Sequence, residues 1–167
     1  LETGLGIRIL LEAFTEQGIN SHVVFVGHGS LAGEILTSAE KTNNVHLHKP
    51  VPHEEVVRLV KNADFGLCLV ENISLSDFYC LPNKLFEYCF AGIPVLASKF
   101  PDIDDLGTKH GLGVVSQVDF NSVIKAIKEI EYNPPYFSPN NIADLNWQTQ
   151  AKRLLSAYSD IISEVQR

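Results

Sequence analysis

One predicted helix, beginning at Pro82, carries polar groups that suit a phosphorylated ligand. Proline fits the first turn of a helix because its missing N–H would have no partner there. The next N–H groups, on Asn83, Lys84 and Leu85, would point at an anion at the positive end of the helix dipole. Lys84 adds a cation, and Glu87 lies one turn further on. The spacing therefore predicts phosphate binding at the helix start, with Glu87 accepting hydroxyl groups of a neutral unit such as ribose.

These residues also have plainer interpretations. Glu87 by itself is typical of a solvated helix face, and Lys84 of a surface lysine. The Gly27-His28-Gly29 turn after a predicted strand serves equally well to reverse the chain. The full dinucleotide-binding fingerprint does not occur in the sequence. The pattern alone leaves both interpretations open.

The elements that hold these residues alternate between strand and helix. Residues 71–80 show no period and are predicted to be a loop. The order predicts an α/β fold, doubly wound and Rossmann-like, with a parallel sheet and helices on both faces. The predicted strands lie near residues 22–26, 45–48, 64–70, 95–97 and 111–115, and the predicted helices near 5–17, 31–41, 53–62, 82–91, 103–108, 120–130 and 147–165.

Ligands of doubly wound sheets bind outside the carboxyl ends of the strands. Three predicted loops lie at those ends, at residues 27–30, 49–51 and 71–82. The third loop leads into the helix that begins at Pro82. We therefore expect the glycine turn, the 49–51 loop and the start of that helix to form one site.

Composition restricts the class of protein. The 167 residues predict one domain with a substantial core. A net charge of -7 argues against a general nucleic-acid or membrane-surface binder, which needs basic patches. The three cysteines include no Cys-x-x-Cys pair and favour free thiols in a reducing compartment. Because the chain lacks methionine, even at position 1, we expect it to be a piece of something longer.

Several stretches in order resemble one family. They are residues 24–29, 44–47, 63–67, 82–88, 91–98 and 111–114, of which Pro-Asn-Lys-Leu-Phe-Glu-Tyr and Ala-Gly-Ile-Pro-Val-Leu-Ala-Ser are the most specific. Together they resemble the C-terminal domain of family 4 glycosyltransferases, the retaining GT-B enzymes that use nucleotide sugars. Nearly the whole chain takes part in this likeness. It is most similar to bacterial members that build capsular, O-antigen and other surface polysaccharides.

The resemblance implies a set of donor-binding residues. The glycine turn would line the diphosphate, the 49–51 loop would frame the base, the helix start would hold the diphosphate and the acid would hold the ribose. These residues are Gly27 and Gly29, Lys49, Pro50 and Val51, Asn83 and Lys84, and Glu87. The family often has another glutamate, eight residues before the ribose acid, that contacts the donor sugar. Tyr79 takes that position here, so the likeness does not extend to the sugar.

The resemblance also implies what surrounds this domain. Residues 1–167 would form a single nucleotide-sugar-binding domain with its terminal helix at 147–165. The domain's first strand and an N-terminal acceptor domain, with the catalytic residues, would lie outside the chain. The substrate would be a UDP- or GDP-linked sugar, with no cofactor or metal, and the acceptor a glycan or lipid-linked hydroxyl. The expected location is cytoplasmic, with a peripheral position at the cytoplasmic membrane as an alternative for the full-length enzyme.

Other interpretations stay open. A GT-B-type sugar-nucleotide epimerase would share this fold, and a non-catalytic doubly wound binding module would need no second domain. We interpret His46 and His48 as ordinary strand residues, because a zinc site needs further ligands that nothing marks. The acidic residues 102, 104 and 105 are more typical of a solvated loop than of a metal site. The terminal helix is predicted to pack in the core, or to cross toward another domain with part of its apolar face exposed.

Overall fold

The computed structural model describes residues 1–16 and 18–165. Five short strands form two parallel sheets in this part of the chain, one of two strands in the order β1-β2 and one of three in the order β3-β4-β5. The strands are β1 (Val23–Val26), β2 (Val45–His48), β3 (Gly66–Cys68), β4 (Val95–Ser98) and β5 (Gly113–Ser116). Parallel pairing follows from the helical crossovers, which return the chain to the starting edge before each new strand.

Eight α-helices and one 3₁₀ helix connect or follow these strands in the described residues. The α-helices are α1 (Ile7–Thr15), α2 (Ala32–Ala39), α3 (His53–Val60), α4 (Leu75–Phe78), α5 (Asn83–Ala91), α6 (Pro101–His110), α7 (Phe120–Tyr132) and α8 (Trp147–Val165), and the 3₁₀ helix is Pro139–Leu145. None of the helices in residues 1–16 and 18–165 combines the length and apolar character needed to span a membrane.

Both faces of the three-stranded sheet are buried, by different helices. Leu69, just after β3, and Leu96 of β4 belong to the apolar cluster of α1 and α7. Their neighbours Cys68 and Ala97 belong to the cluster of α5, α6 and the 3₁₀ helix. Alternate residues of a strand point to opposite faces, so each strand contributes to both cores. The predicted doubly wound α/β fold is confirmed.

The two sheets share the first of these cores. Strands β1 and β2 contribute Val23, Phe25 and Val45 to the same cluster that contains Leu69 and Leu96. Residues 1–6, here called the N-terminal strap, also connect the carboxyl ends of β1 and β3. Leu31 N donates to Leu1 O over 3.1 Å, and Glu71 N donates to Gly4 O over 2.9 Å. The sheets are therefore joined by one apolar layer and by the strap.

The structure corrects several predicted boundaries, including those at residues 71–80 and in α6. The stretch 71–80 is not entirely loop, because it contains α4. Ser74 caps this short helix by accepting a hydrogen bond from Asp77 N. Helix α6 begins at Pro101 and extends to His110, beyond the predicted 103–108, because proline fits its first turn and Gly111 ends it in the left-handed conformation.

The terminal helix α8 does not pack in the core. It meets the 3₁₀ helix near its start and is otherwise exposed as far as its side chains are described. Its exposed apolar side chains are Trp147, Leu154, Leu155, Tyr158, Ile161 and Ile162, with the indole 75% accessible. The prediction of core packing is wrong for the described residues, because these apolar side chains are exposed there.

Candidate functional site

The parallel register brings the three predicted loops to one edge of the sheets. Val26 and His48 are register partners at the ends of β1 and β2. Gly27 N donates to His48 O over 3.1 Å, which extends the pairing into the glycine turn. The turn at residues 27–30 and the loop at 49–52 therefore leave the sheet side by side, as parallel pairing of their strands requires.

The glycine turn holds the N-terminal strap. Gly27 and Gly29 have φ values of 132° and 153°, which L side chains rarely adopt. A Cβ on Gly29 would overlap the backbone of Leu1 and the carboxylate of Glu2. That carboxylate accepts hydrogen bonds from Ser30 N at 3.1 Å and from the Ser30 hydroxyl at 2.5 Å. Sequence reasoning missed Glu2, because nothing in its local pattern indicates that residue 2 returns to residue 30.

The hydrogen bonds from the Ser30 hydroxyl and N–H lower the pKa of Glu2, so this carboxyl stays ionised at neutral pH. A negative charge thus lies at the turn that was predicted to line a diphosphate. The turn does allow the chain to reverse and to pack closely, as the plainer interpretation of Gly27 and Gly29 proposed.

The start of α5 presents backbone donors at the same edge. Pro82 is the N-cap, so the helix begins at Asn83, one residue later than predicted. Leu85 N is engaged with Pro82 O at 3.0 Å. Within residues 1–16 and 18–165, the N–H groups of Asn83 and Lys84 donate no hydrogen bond. Two of the three predicted donors therefore remain available for an anion.

Helix α5 is held firmly against the sheet. Leu85 and Cys89 are fully buried on its inner face, and Gly92 ends it with a φ of 84°. The ring of Tyr88 lies directly over Gly66 of β3, where a Cβ would come closer than 3.0 Å to three ring atoms. Burial raises the pKa of Tyr88 to about 12, so this phenol stays neutral. Glycine in β3 thus lets α5 approach the sheet closely.

Glu87 faces the loop that follows β2. Its Oε1 atom lies 3.8 Å from Nδ1 of His53, the first residue of α3. The Glu87 side chain is 24% exposed and accepts no hydrogen bond from the described residues. Lys49 and Pro50 of the intervening loop are exposed, and Val51 is half-buried. The structure thereby brings the predicted ribose acid to His53, two residues after the predicted base loop, and sequence reasoning missed this histidine.

The loop after β3 closes the other side of the edge. Glu71 accepts a hydrogen bond from Gly6 N over 3.1 Å and so anchors the strap at the start of α1. Tyr79 is exposed, as are Ile73 and Leu75 beside it. Burial raises the pKa of Cys68 to about 11, and the nearby charge of Lys84 partly opposes this rise. Lys84 itself is half-buried. This loop therefore presents apolar and aromatic groups next to the free donors of α5.

A pair of histidines lies at the opposite end of β1. Nδ1 of His22 and Nε2 of His46 are 2.8 Å apart, with ring centroids 5.1 Å apart and planes within 9°. The distance between the ring centroids equals the nitrogen–nitrogen distance plus the two ring radii. The rings therefore lie edge to edge, with the two nitrogens facing each other and sharing a hydrogen bond. The described residues contain no group of three or more His, Cys, Asp or Glu side chains that could hold a metal ion.

The arrangement can bind an anion next to a hydroxyl-bearing group. The free N–H groups and the dipole of α5 attract a phosphate, and the Lys84 ammonium adds charge on the same turn. Glu87, one turn along the same helix, can accept hydrogen bonds from hydroxyl groups. The architecture is that of a doubly wound α/β domain, a fold whose ligands bind at the carboxyl edge of the sheet.

Comparisons with known proteins agree with this architecture. The family described as "Glycosyl transferases group 1" matches residues 3–132, so the chain belongs to that family. Two curated relatives are chitobiosyldiphosphodolichol beta-mannosyltransferases, from Debaryomyces hansenii at 27% identity and from Candida albicans at 29%. Both alignments run over 112 residues and cover 65% of this chain. The chain spans about a quarter of these relatives, because the alignments cover 23% of each.

Solved glycosyltransferase structures share the fold. Sucrose-phosphate synthase from Thermosynechococcus elongatus superposes with a TM-score of 0.71 and 18% identity, over 98% of this chain and 44% of the other. AviGT4, a glycosyltransferase involved in avilamycin A biosynthesis, superposes with a TM-score of 0.69 and 14% identity. That superposition covers 96% of this chain and 48% of AviGT4. The chain is therefore similar to somewhat less than half of each of these proteins.

Proposed function

We propose that this chain is the donor-binding domain of a glycosyltransferase and that it binds a nucleoside-diphosphate sugar, UDP- or GDP-linked. The observation that carries the proposal is the juxtaposition at the carboxyl edge. Helix α5 offers two free N–H groups at its start and one unbonded carboxylate a turn later, beside the loop that follows β2. Membership of the glycosyl transferases group 1 family supports the same class of ligand.

Each part of the ligand has a proposed contact. The N–H groups of Asn83 and Lys84, with the Lys84 ammonium, would hold the diphosphate, whose charge grows as the sugar leaves. Glu87 would accept the ribose hydroxyls. The base would lie against Lys49, Pro50 and Val51, largely on the backbone. Gly27 and Gly29 would line the diphosphate where the strap and Glu2 leave them accessible.

Nucleotide titration tests this proposal. We expect UDP or GDP, or one of their sugars, to bind by calorimetry, and Glu87→Gln to weaken binding on the order of tenfold or more, because hydrogen bonds to a charged group contribute about 1.5–3 kcal/mol. Glu129→Gln, which removes a carboxylate from α7, is the matched control and should bind as the native protein does. Failure of the native protein to bind any of these nucleotides would refute the proposal.

We also propose that a strand of the same protein fills the space between β1 and β3. In the described residues each of these strands pairs on one side only, β1 with β2 and β3 with β4. The strap hydrogen-bonds to Leu31 and to Glu71, which follow β1 and β3 at the carboxyl edge. A further parallel strand would merge the two sheets into one of six strands. Amide exchange tests this: a longer chain containing that strand should exchange Val23–Val26 more slowly than residues 1–167 alone, and equal rates would contradict it.

The remainder of the protein would supply the acceptor site. The chain covers under half of the glycosyltransferase structures it resembles, which supports a second domain of similar size. We propose that this domain covers the apolar face of α8 and contributes the catalytic residues. The full enzyme would act in the cytoplasm, peripherally at the membrane where its glycan acceptor is lipid-linked.

The stereochemistry of transfer is open to direct measurement. We propose retention of the donor's anomeric configuration with a hexose donor. Proton NMR of the first-formed product of the full enzyme would test this, since inversion at the anomeric carbon would refute the retaining mechanism and leave the donor-binding role intact. Release of an epimerised nucleotide product without transfer would instead favour the epimerase alternative.

A further inference from the structure

The contact between His53 and Glu87 joins two parts of the candidate site. His53 begins α3, immediately after the loop predicted to frame the base, and Glu87 lies one turn into α5. The imidazole Nδ1 is 3.8 Å from the carboxylate Oε1, and α3 packs along α5. Because the two helices are in contact, this proximity follows from the fold and does not depend on a long, mobile loop.

The position of His53 has no evident benefit for α3 itself. A cation at a helix N-terminus is unfavourable, because the N–H groups there already carry partial positive charge. The favourable groups in that turn are the acids Glu54 and Glu55. Pro52 precedes His53 and provides no side-chain cap. Helix stability therefore does not explain a histidine at this position.

The two side chains differ in their freedom. The His53 side chain is 86% exposed, whereas the Glu87 side chain is only 24% exposed. A separation of 3.8 Å exceeds hydrogen-bond length, and a small rotation of the exposed imidazole closes it. His53 can thus reach the carboxylate by its own movement and leave the second carboxylate oxygen for a ligand.

We propose that His53 is a positioning residue that orients the Glu87 carboxylate toward the ribose hydroxyls. The inference rests on the proposed donor-binding function and deepens it. An imidazole N–H bonded to Oε1 limits the rotation of the carboxylate and directs Oε2 to the ligand. The consequence is a preference for ribonucleotides over their deoxy analogues, because only the former offer both hydroxyls. The diphosphate, which binds at Asn83 and Lys84, is unaffected by this contact.

The test compares UDP and GDP with their 2′-deoxy analogues and with inorganic pyrophosphate, by calorimetry. His53→Phe keeps a planar ring and removes the N–H, and we expect it to lower the ribo-to-deoxy affinity ratio about two- to fivefold, as suits a largely exposed ionic contact. His53→Gln restores an N–H donor and should recover most of the ratio. Pyrophosphate affinity should stay unchanged in both variants. His22→Phe, at the far end of β1, is the matched control.

The outcomes separate this inference from the proposed function. If Glu87→Gln abolishes the ribose preference and His53→Phe leaves it intact, the positioning role is refuted and the donor-binding function stands. Equal weakening of nucleotide and pyrophosphate by His53→Phe would point to a structural effect and also refutes the role. If the native protein binds no nucleotide, or shows no ribose preference, both Glu87 and His53 lose their proposed parts.

Discussion

Replacing Gly66 with alanine should push α5 away from the sheet. The new Cβ would lie closer than 3.0 Å to three ring atoms of Tyr88, a half-buried residue of α5 that packs on the sheet. Inserting a methyl group into a packed core costs about 1–3 kcal/mol. We expect the upper part of that range, about 2–3 kcal/mol, because all three of these atoms belong to one rigid ring and overlap together.

A glycine-to-alanine substitution in α6 should have the opposite effect on the free energy of unfolding. A Cβ on Gly107 in α6 would meet Val115 at 3.6 Å, which is an ordinary contact. Alanine stabilises a helix interior relative to glycine by roughly 0.5–1 kcal/mol. Gly107→Ala should therefore raise the free energy of unfolding, while Gly66→Ala lowers it. Urea denaturation of the two variants, monitored by circular dichroism, gives both values.

A double-mutant cycle isolates the cause. With Tyr88→Ala the ring is gone, and Gly66→Ala should then be neutral or stabilising by about 0.4–1 kcal/mol, since alanine limits the unfolded chain. The coupling between the two sites would be about 3 kcal/mol. If Gly66→Ala costs the same with and without the ring, the close approach of Tyr88 is not the reason for glycine in β3. Nucleotide affinity should fall in Gly66→Ala as well, because Glu87 moves with α5.

The remaining predictions concern two sets of hydrogen bonds around the sheets and one charge at the glycine turn. Ser98→Ala should lower the free energy of unfolding by about 2–3 kcal/mol, measured by urea denaturation. The buried Ser98 hydroxyl accepts a hydrogen bond from Val70 N and donates one to Val70 O, so both backbone groups would lose a partner. A loss under about 1 kcal/mol would contradict this. Burial raises the pKa of Glu131, but hydrogen bonds from the turn before β1 outweigh it and hold the pKa below that of a free glutamate. Its stabilising contribution is therefore present at neutral pH and is lost as the pH falls through the lowered pKa of the folded state. Glu131→Gln should flatten the fall of stability with acid, and an unchanged pH profile would refute the assignment. Glu2→Gln removes a negative charge from the glycine turn and should strengthen nucleoside diphosphate binding severalfold at low salt. This gain in affinity should shrink as salt is added, because salt screens the charge. Weaker binding by Glu2→Gln would show instead that Glu2 assists the ligand.

Much of the fold can be predicted from local pattern. Gly92 supplies the left-handed end of α5 and Pro94 cannot continue a helix, so the change from helix to strand at 91–95 follows from residue type alone. Aspartate is a favoured N-cap residue, and the side chain of Asp119 caps α7 by accepting a hydrogen bond from Ser122 N. Such signals are local because capping and turn geometry involve residues only a few positions apart.

The site required the tertiary structure in addition. The sequence placed Glu87 on α5 and the 49–51 loop after β2, and it marked Gly27 and Gly29 as a turn. It carried no sign that Glu2 would return to that turn.

The sequence by itself determined the order of the five strands and the caps of α5 and α7, because periodicity and turn chemistry act over a few residues. Only the tertiary structure decided the contacts across the chain. It set the 3.8 Å approach of His53 to Glu87, the seating of Tyr88 on Gly66 and the exposure of α8. Those contacts depend on how separate helices pack on the sheets, and packing partners far apart in the chain leave no trace in local pattern.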